Sequence, residues 1–523
     1  MTDLLIYAAT PGGIGAALAA AARGVNVTLV EPSNHIGGLN TSGIGTAETE
    51  NMDAGPQSIA GAALAFTRRV GLHYGFQAPL FYWEPKIAER AFEELLAETS
   101  VNILRGRRLA AVEQSAGRIT ALRFDNDQTL RPRLLIDASY EGDLLAAAGV
   151  PYAIGRESRH HYNESLAGVR FVEREADVAP STTGRIHYRD DIHEINPFAP
   201  DGSLLPDISP AEGLESGQAH PLTMNYNFRL TMSTDDNRVP LSEPDGYQPA
   251  RFELLRRWLA LRPDAQLRDI LDFYKHSSGQ YSPRDDGWRW QCHETRKWEL
   301  NNKQAAVISL GHFGGQAGWP DGTHTQRKAI YDDHVAYTKG LLWTLASDPA
   351  VPAPIRHEMN RFGYAADEYV DHQHWPYQLY VREARRMQGS YILTQHDLLE
   401  NTTKPDAILR GTHKIDSHHV QRVAIGHRGF RNEGRIWTLV ARPYDIPYRC
   451  LTPQPEHARN LLVPVALSAS HVAFCSVRLE MVWMTLGHVA GEAAAMSLDA
   501  DCDVQSSDIP RLQQRLRTTG FDL

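Results

Sequence analysis

The sequence predicts an α/β protein whose first elements belong to a parallel sheet. Two observations predict it. Residues 4–31 read LLIYAATPGGIGAALAAAARGVNVTLVE, which is a short apolar strand, a small-residue turn, an Ala-dense helix and a second strand closing on an acid. Near the other end, NLLVPVALSAS reads as a buried strand and loop, and Val482 to Leu498 forms a small-residue helix. Between these stretches the patterning is weaker and mixes strand, helix and long loops.

Each element of the opening unit has a physical reason. Leu4 to Tyr7 is apolar and short, as a buried parallel strand is. The turn holds Gly12 and Gly13, and Ala16, Ala17 and Ala20 give the helix a face that lies close on the sheet. Gly24 ends the helix, and Val25 to Val30 leads into Glu31. That order is a dinucleotide-binding βαβ unit. Its turn brings backbone against a pyrophosphate, its helix N-terminus offers free N–H groups, and its terminal acid accepts from a ribose diol. An acid at Glu31 favours an unphosphorylated 2′-hydroxyl. The usual G-x-G-x-x-G frame falls on Ala8, Thr10 and Gly13, with Pro11 and Ile14 in the same turn. Ala8 is expected to be tolerated there with a negative φ.

The chain continues PSNHIGGLNTSGIG, so Pro32, Gly37, Gly38, Thr41 and Gly43 follow the acid directly. This second glycine-rich segment resembles the one that lies along FAD in glutathione-reductase-type flavoproteins. Pro85 to Glu98 reads as a helix with Pro in its first turn and an apolar face from Ile87 to Leu96. Val101 to Leu104 is a strand, and residues 108–113, 118–124 and 129–136 read as a three-strand meander. Residues 172–220 read as ordered loops, Asn225 to Met232 as a strand, and residues 251–275 and 326–346 as helices.

Composition bounds the function. The 523 residues are 42% hydrophobic and carry a formal net charge of −10, which disfavours nucleic acid or an anionic membrane as partner. The cysteines, Cys292, Cys450, Cys475 and Cys502, are scattered without a C-x-x-C, so no metal framework is expected. The pairs His160-His161 and His418-His419 point to opposite faces of a strand and make no metal site by themselves. No apolar run reaches the ~18 residues of a membrane span. The expectation is a soluble cytoplasmic protein.

Several longer segments resemble the FAD-dependent oxidoreductase family of glutathione-reductase-type fold, some members of which carry xanthan lyase labels. They are YAATPGGIGAALAAAARG with Glu31, GGLNTSG, IDASYEGDLLAAAGVPYAIGRES with Tyr162 and Glu164, YNFRL with NRVP, LNN at 300–302, LYVREARRMQG, PYDIPYR, and the segment from NLLVPV to GEAAA. The resemblance implies a Rossmann-type FAD domain assembled from residues 1–50, 85–170 and 455–500. An α+β substrate domain, 51–84 and 171–454, is inserted into it, and 501–523 forms a tail helix. It implies FAD as cofactor, an adenine contact near Leu109, and Asp137-Ala138-Ser139 as a strand-end motif closing over the cofactor. Related flavoproteins often carry an acid after the strand resembling NLLVPV, where this chain has Val465 and Ala466.

FAD carries the redox chemistry, and the protein supplies position and electrostatics. The segment from Ser470 and His471 through Ser476 to Arg478 is placed to aim a helix N-terminus at negative charge on reduced flavin. His471 is the first candidate for a base that takes a proton as hydride leaves the substrate, and His312 in LGHFGG the second. Arg382, Arg385 and Arg386 recur at i, i+3 and i+4. Arg382 is the candidate for gripping a substrate carboxylate or polar oxygen, against a structural cluster with Glu383 and nearby acids. His35 is a remote candidate for a covalent flavin link against an ordinary polar role. With no second dinucleotide turn, electrons pass to oxygen or an external acceptor. The expected reaction is oxidation of a small polar, sugar-like substrate by hydride transfer to flavin N5. A flavin-dependent lyase or isomerase without net redox change, and a non-catalytic flavin-binding subunit, stay open, as does a homo-oligomer.

Overall fold

The computed structural model describes residues 2–48, 57–171, 193–275, 296–304 and 306–523. Five strands form a parallel sheet in the order Leu461–Leu462, Leu134–Asp137, Leu4–Tyr7, Val27–Glu31, Asn102–Arg105. The three central strands are buried along their whole length, which requires cover on both faces. Alternation sorts the side chains. Leu4, Ile6, Leu29 and Ile136 face a core with the first and last long helices, and Leu5, Tyr7, Val30 and Leu135 face Ile119, Leu122 and Phe124 of the meander.

The first helix, Pro11–Ala22, lies on the last long one, Glu480–Ala500, backbone against backbone. A Cβ at Gly487 would stand 2.7 Å from the carbonyl carbon of Gly12, and one at Gly491 would stand 3.0 Å from that of Ala16. Glycine at both crossing points is what lets the helix pair close. A second, antiparallel sheet runs Val239–Pro240, Gly363–Tyr364, Leu230–Ser233, Lys297–Asn302, Leu271–Lys275. The helix His324–Ser347 shares a core with it through Tyr337, Leu341 and Leu345. Thr323 and Gln326 close the start of that helix with a capping box.

Four expectations shift. The third meander strand is only Thr129–Leu130; Pro132 lacks an N–H for the ladder, and Leu134–Asp137 leaves to join the parallel sheet. The stretch 251–275 is helical only over Pro249–Ala260 and at Leu267–Asp269; Pro263 intervenes, and Leu271–Lys275 becomes a sheet strand. Only Leu230–Ser233 of the predicted 225–232 strand joins a ladder, while Tyr226 and Asn227 make isolated bridges. The last long helix starts at Glu480, two residues early, and the tail helix is Ile509–Thr518. Residues 172–192 and Cys292 lie outside the described residues. Among the described residues, no helix is long and apolar enough to cross a membrane.

Candidate functional site

The glycine turn is fastened from three sides. Thr10 caps the first helix by accepting from the Gly13 N–H, and its hydroxyl donates to the carbonyl of Ala138 at 2.8 Å. The Glu31 carboxylate accepts from the N–H of Ala9 at 2.8 Å and of Ser33 at 2.7 Å. Burial outweighs those bonds and raises the Glu31 pKa. Gly37 donates to the Ala9 carbonyl, tying the second glycine segment to the first. A Cβ at Gly13 would meet the Ala8 carbonyl. Ala8 itself has φ +74, so the expected negative φ is corrected: the turn imposes the left-handed conformation, and Ala8 bears the strain that Gly would avoid.

A cavity of about 230 Å³ opens against this turn. Of the predicted cofactor residues, Ala8, Thr10, Glu31, Pro32, Gly38, Thr41 and Ser139 line it. Pro11, Gly12, Gly13 and Ile14 form the helix start behind it, and Gly37 and Gly43 shape the second segment. Asp137 accepts from Ser139 and Leu145, which folds the Ala138–Asp143 turn over the strand end; burial pushes its pKa up to about 6. Leu109 does not line the cavity, because its N–H donates to the Tyr7 hydroxyl; Arg108 stands there instead. The sequence reading also missed Tyr7, Ser42, Tyr140 and Glu141, and the far wall of Trp319, Arg327 and Tyr377.

Next to the cavity, Tyr140 accepts from the Leu39 N–H and donates to Glu480 at 2.7 Å. The other Glu480 oxygen, both amide atoms of Asn40 and the Trp483 N–H are buried without a partner. Burial pushes Glu480 up to about 8. Buried polar atoms of this kind call for a ligand or water. Together with the capped helix start, the glycine cradle and the Glu31 acceptor, they fit a dinucleotide cofactor. Val465 offers no acid, as expected; it packs on Gly12.

His471 is placed differently from a base. Its Nδ1 lies 2.9 Å from both Glu383 oxygens, and its Nε2 is 3.8 Å from Cys475 Sγ. Burial opposes its charge, but Cys475 and Glu383 outweigh it and bring the imidazole to about 10. A charged, fully partnered imidazole has no lone pair to give at neutral pH. The helix His471–Val477 is likewise not aimed at a ligand. Its first N–H donates to Glu157, and Ser470, its cap, donates to Glu164. Ser476 bonds to Tyr444 and the His413 carbonyl. Arg386 pairs with Glu157 and Glu383, and completes a buried charge chain.

The three arginines share no helix face, because residues 381–385 form no helix and Arg386–Met387 is a strand. Arg385 pairs with Asp143 and Asp321. Arg382 instead donates to the Asn225 carbonyl at 2.6 Å and to the Asn227 side chain, and its guanidinium lies 4.4 Å over the Tyr380 ring. Arg478 donates to the Tyr380 hydroxyl. His312 does not line the cavity; it sits between Asp207, Arg251 and Asp333 and stacks on Tyr337. His35 is held by Glu89 and Asp371 and stacks on Tyr377. Glu84, Asp367 and Glu368 converge as metal ligands would, but the Lys297 ammonium stands among them at 2.5–2.8 Å.

The family model described as FAD dependent oxidoreductase matches residues 3–516. Among solved structures, the chain is similar to L-proline dehydrogenase from P. horikoshii at 14% identity and TM-score 0.22, over 30% of this chain and 58% of that one. It is also similar to a flavoprotein/dehydrogenase from Cytophaga hutchinsonii at 16% identity and TM-score 0.22, over 28% of this chain and 42% of that one. In both, the chain spans less than two thirds of the matched structure. No curated protein matches it.

Proposed function

We propose, for a chain that belongs to the FAD-dependent oxidoreductase family, that it oxidises a small polar, hydroxyl-bearing substrate and holds FAD in the glutathione-reductase manner. One observation carries the binding mode. Glu31, the Thr10-capped turn and Ser139 converge on a single cavity at the strand ends, where open α/β sheets take ligands. In this reading Glu31 accepts from the adenosine ribose, and the start of the first helix faces the diphosphate. Asn40, Glu480 and Tyr140 would hold the middle of the cofactor, where Val465 and Ala466 offer no acid. The FAD part would be assembled from 1–50, 85–170 and 455–500, and the origin of the five parallel strands in those stretches supports it. Residues 51–84 and 171–454 would form the inserted substrate part.

FAD, when bound there, would supply the hydride-accepting chemistry and the route for electrons to oxygen or another acceptor. The chain's own work is placement. Trp319, Arg327 and Tyr377 wall the cavity on the inserted side. The chain of Glu157, Arg386, Glu383 and His471 keeps the segment 470–478 in position by charge. Purified protein is expected to be yellow and to release one FAD on denaturation. Anaerobic mixing with a panel of polyols and hydroxy compounds is expected to bleach it persistently. Colourless protein that takes up no FAD would refute the reading; flavin that stays oxidised while substrate is converted would replace it with a non-redox lyase or isomerase.

A further inference from the structure

Three arginines meet around one ring. Arg382 lies over the Tyr380 face, Arg478 donates to its hydroxyl at 3.2 Å, and Arg229 stands 5.8 Å from its centroid. All three are buried. Arg229 is paired with Glu299. Among the described residues, Arg382 and Arg478 make no ion pair: Arg382 spends its fork on Asn225 and Asn227, and Arg478 donates to Tyr380 and the Asp416 carbonyl. The Nε–H of each is buried without a partner, as are Asn302 Nδ2 and His418 Nδ1.

A guanidinium cannot shed its proton at neutral pH, so burial cannot neutralise it as it does a histidine. Two of them side by side, with neutral acceptors only, are short of an anion. Arg229, Arg382, Arg435, Arg478 and Lys414 face Glu48, Asp416 and Glu299, so the cations outnumber the carboxylates. Burial also favours the neutral acid at Glu48 and at Asp416. The cluster lies where the second glycine segment meets the antiparallel sheet. A Cβ at Gly43 would stand 2.7 Å from the carbonyl carbon of Arg229, and Gly45 donates to Glu299 at 3.1 Å.

We infer that the substrate is a small organic acid whose carboxylate is gripped by Arg382 and Arg478. The inference rests on the oxidoreductase reading above and narrows its substrate from a polar compound to a carboxylate. The unpartnered Nε–H edge of Arg382 suits a carboxylate oxygen, and Asn225 and Asn227 hold the guanidinium in place.

The test is calorimetric titration of the FAD-loaded enzyme with acetate and, as its neutral counterpart, acetamide at fixed ionic strength. Acetate is expected to bind saturably and acetamide not. Arg382→Met is expected to weaken acetate about 100-fold while FAD content and spectrum stay unchanged. Asn227→Ala, which frees the fork without removing charge, is expected to weaken it by a smaller factor, and it decides the matter should Arg382→Met fail to fold. Equal binding of acetate and acetamide, or unchanged acetate affinity in the variants, would overturn the inference. So would variants that shift the flavin potential while acetate binding persists, since the arginines would then serve the cofactor. A wild-type protein without FAD would sink the oxidoreductase reading itself, and that outcome is visible before any acetate is added.

Discussion

Gly487→Ala puts a methyl group into the tightest crossing of the fold. The new Cβ would clash with the Gly12 carbonyl oxygen and stand 2.7 Å from its carbon, where ordinary contact starts at 3.4 Å, so the two helices must part by more than 0.7 Å. Both atoms are backbone-anchored, and no side chain can swing aside. The moving part is the first turn of the helix Pro11–Ala22, which is also bolted through Thr10 to Ala138 by a 2.8 Å hydrogen bond. Overpacking of this kind costs about 1–3 kcal/mol, and a stretched hydrogen bond about 1 kcal/mol more. Displacing N–H groups that face the diphosphate loses charge-assisted bonds of about 1.5–3 kcal/mol each, so FAD affinity should fall roughly 100-fold. Titration of apoprotein with FAD, followed by flavin fluorescence, measures this directly. An FAD affinity within about twofold of wild type would show that the crossing does not position the phosphate turn.

Other substitutions probe separate parts of the account. Ala8→Gly removes a left-handed alanine worth about 1–2 kcal/mol of strain, partly offset by about 0.4–1 kcal/mol of unfolded-chain entropy. It should raise the melting temperature slightly and leave FAD binding intact; a lower melting temperature would contradict the strained turn. His471→Gln should lower stability by about 3 kcal/mol because the buried Glu383 charge keeps only Arg386 as an ionic partner, while the rate of flavin reduction in the folded fraction stays near wild type. A collapse of that rate with stability preserved would restore His471 as a base. Glu480, pushed up to about 8, keeps a proton in the folded state that the unfolded chain releases near 4.5. Its contribution is complete below pH 4.5 and is lost as pH climbs to about 8. Glu480→Gln should flatten that decline in chemical denaturation of the apoprotein; an unchanged pH slope would refute the assignment.

The strand, turn and helix around the glycine segment were legible because their chemistry is local. Strand, turn, helix and acid follow one another within Leu4 to Glu31, and a pyrophosphate asks for small residues at fixed spacing. The conformation of Ala8 was not legible, because its φ is imposed by Val30 and Gly13 rather than by its own type. The helix at 471–477 misled for a related reason: its N-terminus looks free in sequence, and the carboxylates that fill it, Glu157 and Glu164, arrive from more than 300 residues away. The arginine spacing at 382–386 suggested one helix face, but pairing of Arg386 and Met387 with Tyr152 and Ala153 holds that segment extended and sends each arginine to a different partner. The far cavity wall carries no motif, since Trp319 and Tyr377 reach it only through tertiary packing.

Competition between FAD and its fragments tests the central claim most directly. If the cavity at Thr10, Glu31 and Ser139 takes the adenosine diphosphate half, ADP will displace FAD from the protein competitively, and FMN will bind far more weakly than FAD. FMN binding as tight as FAD, or FAD binding indifferent to saturating ADP, would contradict the placement of the cofactor.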